Sequence, residues 1–326
     1  MEKLVVIKLG VIACIFICSL GRASQMEKQS NTVEMNKNDN HFVSVGRGKI
    51  IIPEDFKESG GEISYNDLDI VEKDNFSQKS FDTWVDNRWI EIKSKYARLS
   101  KDNPPVINRL SPYMVWFKFD YSQVDDDIAY KGEGVVWNDN KAIFLSPGGM
   151  FTADKKIPKI IDKIKPKKGD ERSDYFCGKY FCIEVPPSNN EEVSVVFDSL
   201  TTKGLKLSVK VNTLYDEQRS FRLGDIFNNK KEIDGVSGIQ SFLGDSERSS
   251  NGTWYTSISS VWYYPGETKN SNLPEITITL TYEYETGHKP SKAGWFDDQT
   301  IKETGFTPEK FMSIWESTLT SFKRSR

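Results

Sequence analysis

Apolar positions along this chain recur at two periods, and the switch from one to the other marks out its elements. Across residues 80–99, Phe81, Trp84, Val85, Ile92, Tyr96 and Leu99 return at mostly three- and four-residue steps with Lys, Arg, Asp and Glu between them. That is the pattern of an amphipathic helix. Ser80 is placed to cap it, and Asp82 to favour its positive end. A second stripe, Phe311, Ile314, Trp315, Leu319 and Phe322, follows Thr307-Pro308-Glu309, a capping residue with proline at the first helical position. Ile157, Ile160, Ile161 and Ile164 suggest a shorter helix, whose start Pro158 restricts.

Elsewhere the period is two. Residues 192–197, 205–211, 255–263 and 275–284 alternate as half-buried strands, and 114–119, 134–137 and 142–145 are β-rich, the last two joined by Asn138-Asp139-Asn140. Residues 42–53 read as one strand stopped by Pro53, Gly60-Gly61 as a turn, and 62–65 as a return to extended chain. Residues 183–187 end another strand at Pro186-Pro187. The sum predicts an α+β protein of mainly antiparallel sheet packed with one or two helices per unit.

The chain also repeats its plan. Gly46-Arg47 precedes Pro53 across an apolar strand, and Gly178-Lys179 precedes Pro186 across another. About 300 residues exceed what one core usually serves. The charged, apolar-poor stretch 165–172 then separates an N-terminal α+β domain, 42–166, from a related C-terminal one, 173–326.

The first residues change the picture most. Lys3 and Lys8 precede or flank the apolar run 9–20, and Gly21-Arg22-Ala23 follows. A positive start, a roughly 7–15-residue apolar core and small residues before the cut describe a cleavable secretory signal, 1–23. The run is short of the roughly 20 apolar residues that span a bilayer. Val11-Ile12-Ala13-Cys14 loosely fits a lipid-attachment box as well, but cleavage there would leave Ile15-Phe16-Ile17 beside the lipid. Residues 24–41 are polar and without period, a flexible lead. Export to the periplasm is the expectation.

Charge and cysteine use agree with export. The full chain has 44 Lys and Arg against 47 Asp and Glu, and removing the leader makes it slightly more acidic. No segment is basic enough to compete for nucleic acid by neutralising phosphates, and no further apolar stretch would make an integral membrane segment. Cys177 and Cys182 remain after cleavage. In an oxidising compartment so close a pair reads as a disulfide, with two free buried thiols as the alternative.

Reaction machinery is missing. No serine stands in a Gly-x-Ser-x-Gly elbow, and of the two histidines, His41 lies in the lead and His288 in turn-like Gly287-His288-Lys289-Pro290. No metal motif occurs, and no cofactor is called for. Asp125-Asp126-Asp127 is the densest acidic run and reads as a solvated loop. Large rings beside turns and acids are a better lead: Trp254, Tyr255, Tyr263, Tyr264, Trp295, Phe296, Asp297 and Asp298. Partly exposed aromatics amid charge are the usual ingredients of protein–protein hot spots. These residues, with Asp125, Asp126 and Asp127, are the candidate partner-binding set. The candidate catalytic and metal sets are empty.

Finally, Val45-Gly46-Arg47 through Pro53-Glu54, then Ser59-Gly60-Gly61-Glu62, resembles the opening of the two-domain immunity proteins that neutralise phospholipase effectors of type VI secretion (lipase immunity group four). Tyr175-Phe176-Cys177-Gly178, Arg222 with Gly235-Val236-Ser237-Gly238, and the last helix around Trp315 are similar to segments of that family's second half. Val45 departs from a cysteine common there, and Gly48-Lys49 from an aromatic-apolar pair. The resemblance implies a periplasmic inhibitor whose two domains grip a cognate lipase effector and keep its active-site cover from opening. An exported binding module for a glycan or another envelope partner is the alternative.

Overall fold

The computed structural model describes residues 42–96, 104–124, 127–148, 153–168, 175–213, 227–267, 272–289 and 298–324. Residues 41–326 form one compact unit. The first half runs β1 (Phe42–Val45), β2 (Gly48–Ile51), β3 (Phe56–Tyr65), β4 (Leu68–Lys73), α1 (Gln78–Tyr96), β5 (Val106–Ser111), β6 (Met114–Val124), β7 (Asp127–Asn138), β8 (Lys141–Pro147), α2 (Ala153–Ile160) and β9 (Ile164–Pro166). The second runs β10 (Tyr175–Cys177), β11 (Phe181–Glu184), β12 (Glu191–Ser199), β13 (Leu205–Asn212), β14 (Phe227–Ile233), β15 (Val236–Arg248), β16 (Trp254–Tyr264), β17 (Glu275–Thr286), α3 (Asp298–Thr304), α4 (Pro308–Ser321) and β18 (Lys323–Arg324). The fold is α+β, dominated by antiparallel sheet.

Strand order exposes a duplication. The main sheet has 12 strands in the order β14-β15-β16-β17-β13-β12-β3-β4-β8-β7-β6-β5. Counted outward from the β12–β3 seam, both halves place their strands in the same sequence: first, second, sixth, fifth, fourth, third. Each half also opens with a hairpin, β1-β2 or β10-β11, and closes with a helix and a short strand. The closing strands pair at the hairpins. β9 adds to β11, and β18 returns from the carboxyl end to add to β2. The two Gly-base turns noted in the sequence meet, with Gly46 and Cys177 exchanging backbone hydrogen bonds of 3.1 and 3.0 Å. The halves 42–166 and 173–326 thus share one sheet.

Side chains lock this meeting point. Arg47 crosses to the second half and donates to Glu191 at 2.9 and 2.8 Å and to the Val185 carbonyl at 3.0 Å. Both side chains are nearly buried, 10% and 5% exposed. In the other direction, the Glu72 carboxylate accepts the backbone N–H groups of Lys179, Tyr180 and Phe181 at 2.6, 3.2 and 2.9 Å. Burial pushes the Glu72 pKa up, those three donors hold it back, and the Glu58 charge adds to the rise. Cys177 and Cys182 are opposite one another in the β10–β11 register and are disulfide-bonded.

Several local expectations change. Residues 42–53 form a hairpin rather than one strand, because Gly46 adopts a φ of +61° and turns the chain. Gly60-Gly61 is not a turn but the interior of β3, paired with Val196 and Val195 of the seam. Gly61 has φ +154°, and a Cβ there would stand 2.2 Å from the Ser194 carbonyl oxygen. Glycine is present for close backbone approach, not for reversal. The actual β3–β4 reversal is Asn66-Asp67, both at positive φ, like Asp139-Asn140 between β7 and β8.

The first helix begins earlier than its stripe suggests. Ser77, not Ser80, is its cap, the Ser77 hydroxyl accepting the Ser80 N–H at 3.1 Å, and no acid occupies its first turn. Residues 97–99 lie outside the described residues. Pro158 sits inside α2, not at its start; its ring is on the exposed side of an element only eight residues long. The last helix matches its signals, Thr307 accepting the Lys310 N–H at the cap with Pro308 next.

One large core runs through both halves, from Val45 and Ile50 through Val193 and Leu207 to Trp315 and Phe322. A second, smaller core lies on the opposite face of the first half, where α1 sets Phe81, Val85, Ile92 and Tyr96 on Val115, Phe117, Phe119, Val135 and Ala142. Among the described residues no helix is long and apolar enough to cross a membrane.

Candidate functional site

Strand periodicity decides which of the candidate residues can act together. On β17, Ile276, Ile278, Leu280, Tyr282 and Tyr284 are buried, while Glu283 and Glu285 between them are exposed. On β15, Asp245-Ser246-Glu247 sets two more carboxylates on one face by the same spacing of two. Pairing brings these together around β16. Tyr255 is directly opposite Glu247 on one side and Glu285 on the other, and Ser257 is opposite Asp245 and Glu283 in the next row. Tyr255 is 41% exposed. The result is an aromatic ring set in a square of four carboxylates.

This face opens on a cavity of about 1050 Å³ lined by Tyr255, Asp245, Glu247, Glu283 and Glu285, with Lys203, Lys206 and Lys310 among the other contributors. Tyr282 and Phe306 reach its edge but belong to the core beneath β17, 3% and 2% exposed with rings 4.6 Å apart. Lys206 donates to Glu283 at 2.9 Å, and that hydrogen bond raises the Lys206 pKa. Burial pushes up the Tyr282 phenol, against a hydrogen bond from Thr304. Among the described residues the lining holds no histidine or cysteine. Four carboxylates against three lysines, with Lys206 paired to Glu283, leave the lining slightly acidic around one exposed ring.

The sequence-derived set is not one cluster. Trp254 and Tyr255 stand at one end of β16 and Tyr263 and Tyr264 at the other, about 26 Å apart at the usual rise of an extended strand. Tyr255 belongs to the cavity. Trp254 is half-buried with the Lys289 ammonium 5.5 Å from its ring centre. Tyr263 and Tyr264 are only 9% exposed each, a correction to their reading as partly exposed rings: Tyr264 turns into the core beside Trp262, the rings 6.5 Å apart, while Tyr263 is covered on the opposite face, its hydroxyl 3.5 Å from Glu275. Burial and the Glu267 charge raise the Tyr264 pKa, opposed by Arg324.

Asp127 opens β7 and Asp298 opens α3; Asp125, Asp126, Trp295, Phe296 and Asp297 lie outside the described residues. The β6–β7 connection holding the Asp125 run belongs to the first half, so it does not join the Tyr255 cavity through strand pairing. Sequence reading passed over Asp245, Glu247, Glu283 and Glu285. Their signal was present, as two acid-x-acid spacings inside alternating strands, but the neighbour relation of β15, β16 and β17 is tertiary. Among the described residues no three of His, Cys, Asp and Glu gather to hold a metal ion. His288 has its Nδ1 3.4 Å from Glu303.

No protein-family model matches the sequence, and no curated protein matches it. Solved structures do match in shape. The immunity protein TplEi of T6SS from Pseudomonas aeruginosa superimposes with a TM-score of 0.62 both free, at 14% identity, and complexed with an "L" peptide, at 12%. A chain of the Tle4-Tli4 complex superimposes with a TM-score of 0.64 at 12% identity. Each match covers 89% of this chain and 99% of the other. The fold is shared. At these identities the likeness speaks for architecture alone and carries no side-chain role across.

Proposed function

We propose that this protein is an exported immunity protein that binds and inhibits a type VI secretion lipase effector stoichiometrically, in the periplasm. The observation that carries the reading is the end-to-end likeness to immunity-protein folds, across nearly the whole length of those chains. The leader pattern, the Gly46-Arg47 to Pro53 opening and the Cys177-Gly178 segment lend it support from the sequence. The Tyr255 face supplies a surface of the right chemistry. Its carboxylates steer a basic effector segment during encounter, and the exposed Tyr255 ring holds it afterwards.

In this reading inhibition is a matter of differential affinity. The protein favours a closed or occluded lipase by binding that state more tightly than the open one. Neutralising a toxin takes tight binding, so the full contact is expected to exceed about 1,600 Å², and the Tyr255 cavity is one part of it. The protein itself turns nothing over.

The test is protection. A lipase gene is expected beside this one; cells exporting its product should survive only when this chain is exported with it, and the purified pair should form a one-to-one complex lacking lipase activity. Tyr255→Ala combined with Glu247→Lys and Glu285→Lys should slow association and remove most of its salt dependence. Survival without this chain, or turnover of an ester by this chain alone, would refute the proposal.

A further inference from the structure

Duplication supplies an internal control, because two strands occupy the same place in the two halves. β14 and β5 are the equivalent third strands, and they are the two outer edges of the main sheet. β14 reads Phe227-Asn-Asn-Lys-Lys-Glu-Ile233, and charge of this kind keeps an edge from pairing with other chains. The 14-residue α4 also reaches it through the Lys231–Glu316 ion pair. Among the described residues β5 is less protected: Arg109 is its one charge, and a bulge between Arg109 and Ser111 interrupts it near its end. It reads Val106-Ile-Asn-Arg-Leu-Ser111, and the equivalent helix α2 is eight residues long, packing chiefly over β7.

Exposed apolar side chains collect at this bare edge. Val106 and Leu110 are 43% and 52% exposed, and Tyr113, in the β5–β6 turn, is 43% exposed. On the other face Arg109 approaches Asp86 of α1 at 3.5 Å. Ile90, one helical turn beyond Asp86 on the same side, is 61% exposed. Half of the eight large apolar residues exposed among the described residues therefore flank one strand, which is more clustering than scattered surface residues need.

We infer that β5 is a docking edge for an extended segment of the lipase effector, which adds to the sheet as a further strand. Backbone N–H and carbonyl groups of the edge supply the affinity. Val106, and Leu110 at the bulge between Arg109 and Ser111, meet apolar residues of the incoming strand, and Arg109 selects an acidic one on its other face. Self-pairing through this edge is disfavoured by size: six residues a side fall well short of the roughly 20 that a stable interface uses. A partner gripped elsewhere as well does not have that shortfall. The inference rests on the lipase reading above.

The probe is the lipase encoded beside this gene, purified with its nucleophilic serine replaced by alanine, and the readout is amide exchange of residues 106–111 with and without it. Alternate amides of β5 should slow by roughly ten-fold or more on complex formation, and Val106→Lys with Leu110→Lys should weaken binding by a similar factor. A complex that leaves β5 exchange and affinity unchanged overturns the inference while sparing the lipase reading. Absence of any complex overturns both. A free protein that sediments as a dimer, and becomes monomeric in the Leu110→Lys variant, overturns it in favour of a second copy.

Discussion

The β12–β3 seam is where the two halves become one sheet, and Gly61 is its most exacting position. Replacing Gly61 by alanine puts a methyl group 2.2 Å from the Ser194 carbonyl oxygen and 3.1 Å from the Val195 Cα, both backbone atoms that no rotamer change can move. The backbone at φ +154° is also a conformation that only glycine adopts without strain. Strain of this kind costs about 1–3 kcal/mol. Relieving the clash by moving the strands weakens neighbouring ladder bonds, at about 1 kcal/mol for each one lost. A total of about 3 kcal/mol is expected, a large share of the 5–15 kcal/mol that holds a typical domain. Gly60→Ala is the control, since a Cβ there meets nothing within 4 Å. Urea unfolding of the mature protein should show a lower midpoint with an unchanged slope for Gly61→Ala. The melting temperature should fall by about 6–10 °C. If Gly61→Ala stays within about 0.5 kcal/mol of the parent, the seam is not held as described. Equal losses from Gly60→Ala would refute the geometric reasoning too.

Other consequences follow from the meeting of the two hairpins. Arg47→Met leaves the Glu191 carboxylate nearly buried without its cation, and should lower unfolding free energy by about 3–5 kcal/mol, measured by the same urea titration. Removing the disulfide with Cys177→Ser and Cys182→Ser closes no large loop, so the loss should be only about 2 kcal/mol, read as the difference between oxidised and serine forms. The raised pKa of Glu72 means that its proton is held more tightly in the folded chain than in the unfolded one. Its contribution is therefore complete below the ordinary glutamate pKa of about 4.3 and is lost as pH rises through the folded value. Stability curves against pH should show the parent losing ground relative to Glu72→Gln over that window, and a gap that widens towards acid would contradict the assignment.

The chain's own pattern determined its elements. Strict alternation of Ile276, Ile278, Leu280 and Tyr282 with threonines fixes β17 as a half-buried strand, because a period of two sends alternate side chains to opposite faces. Thr307-Pro308 fixes the start of the last helix by local hydrogen bonding and a preset φ. The echo of Gly46-Arg47 in Gly178-Lys179 hinted at a repeat, and the nearness of Cys177 to Cys182 suggested their pairing. These are properties of neighbours in sequence. Tertiary structure decided everything that depends on neighbours in space. Gly60-Gly61 looks like a turn to any local reading, and only the approach of Ser194, 133 residues away from Gly61, makes it a strand. Tyr255 and Tyr264 look alike in sequence, but alternation along β16 gives one to the solvent beside the carboxylates and turns the other into the core. The same holds for the edges: nothing local tells β5 from an interior strand, and its exposure follows from strand order and from the length of a helix that stops short of it.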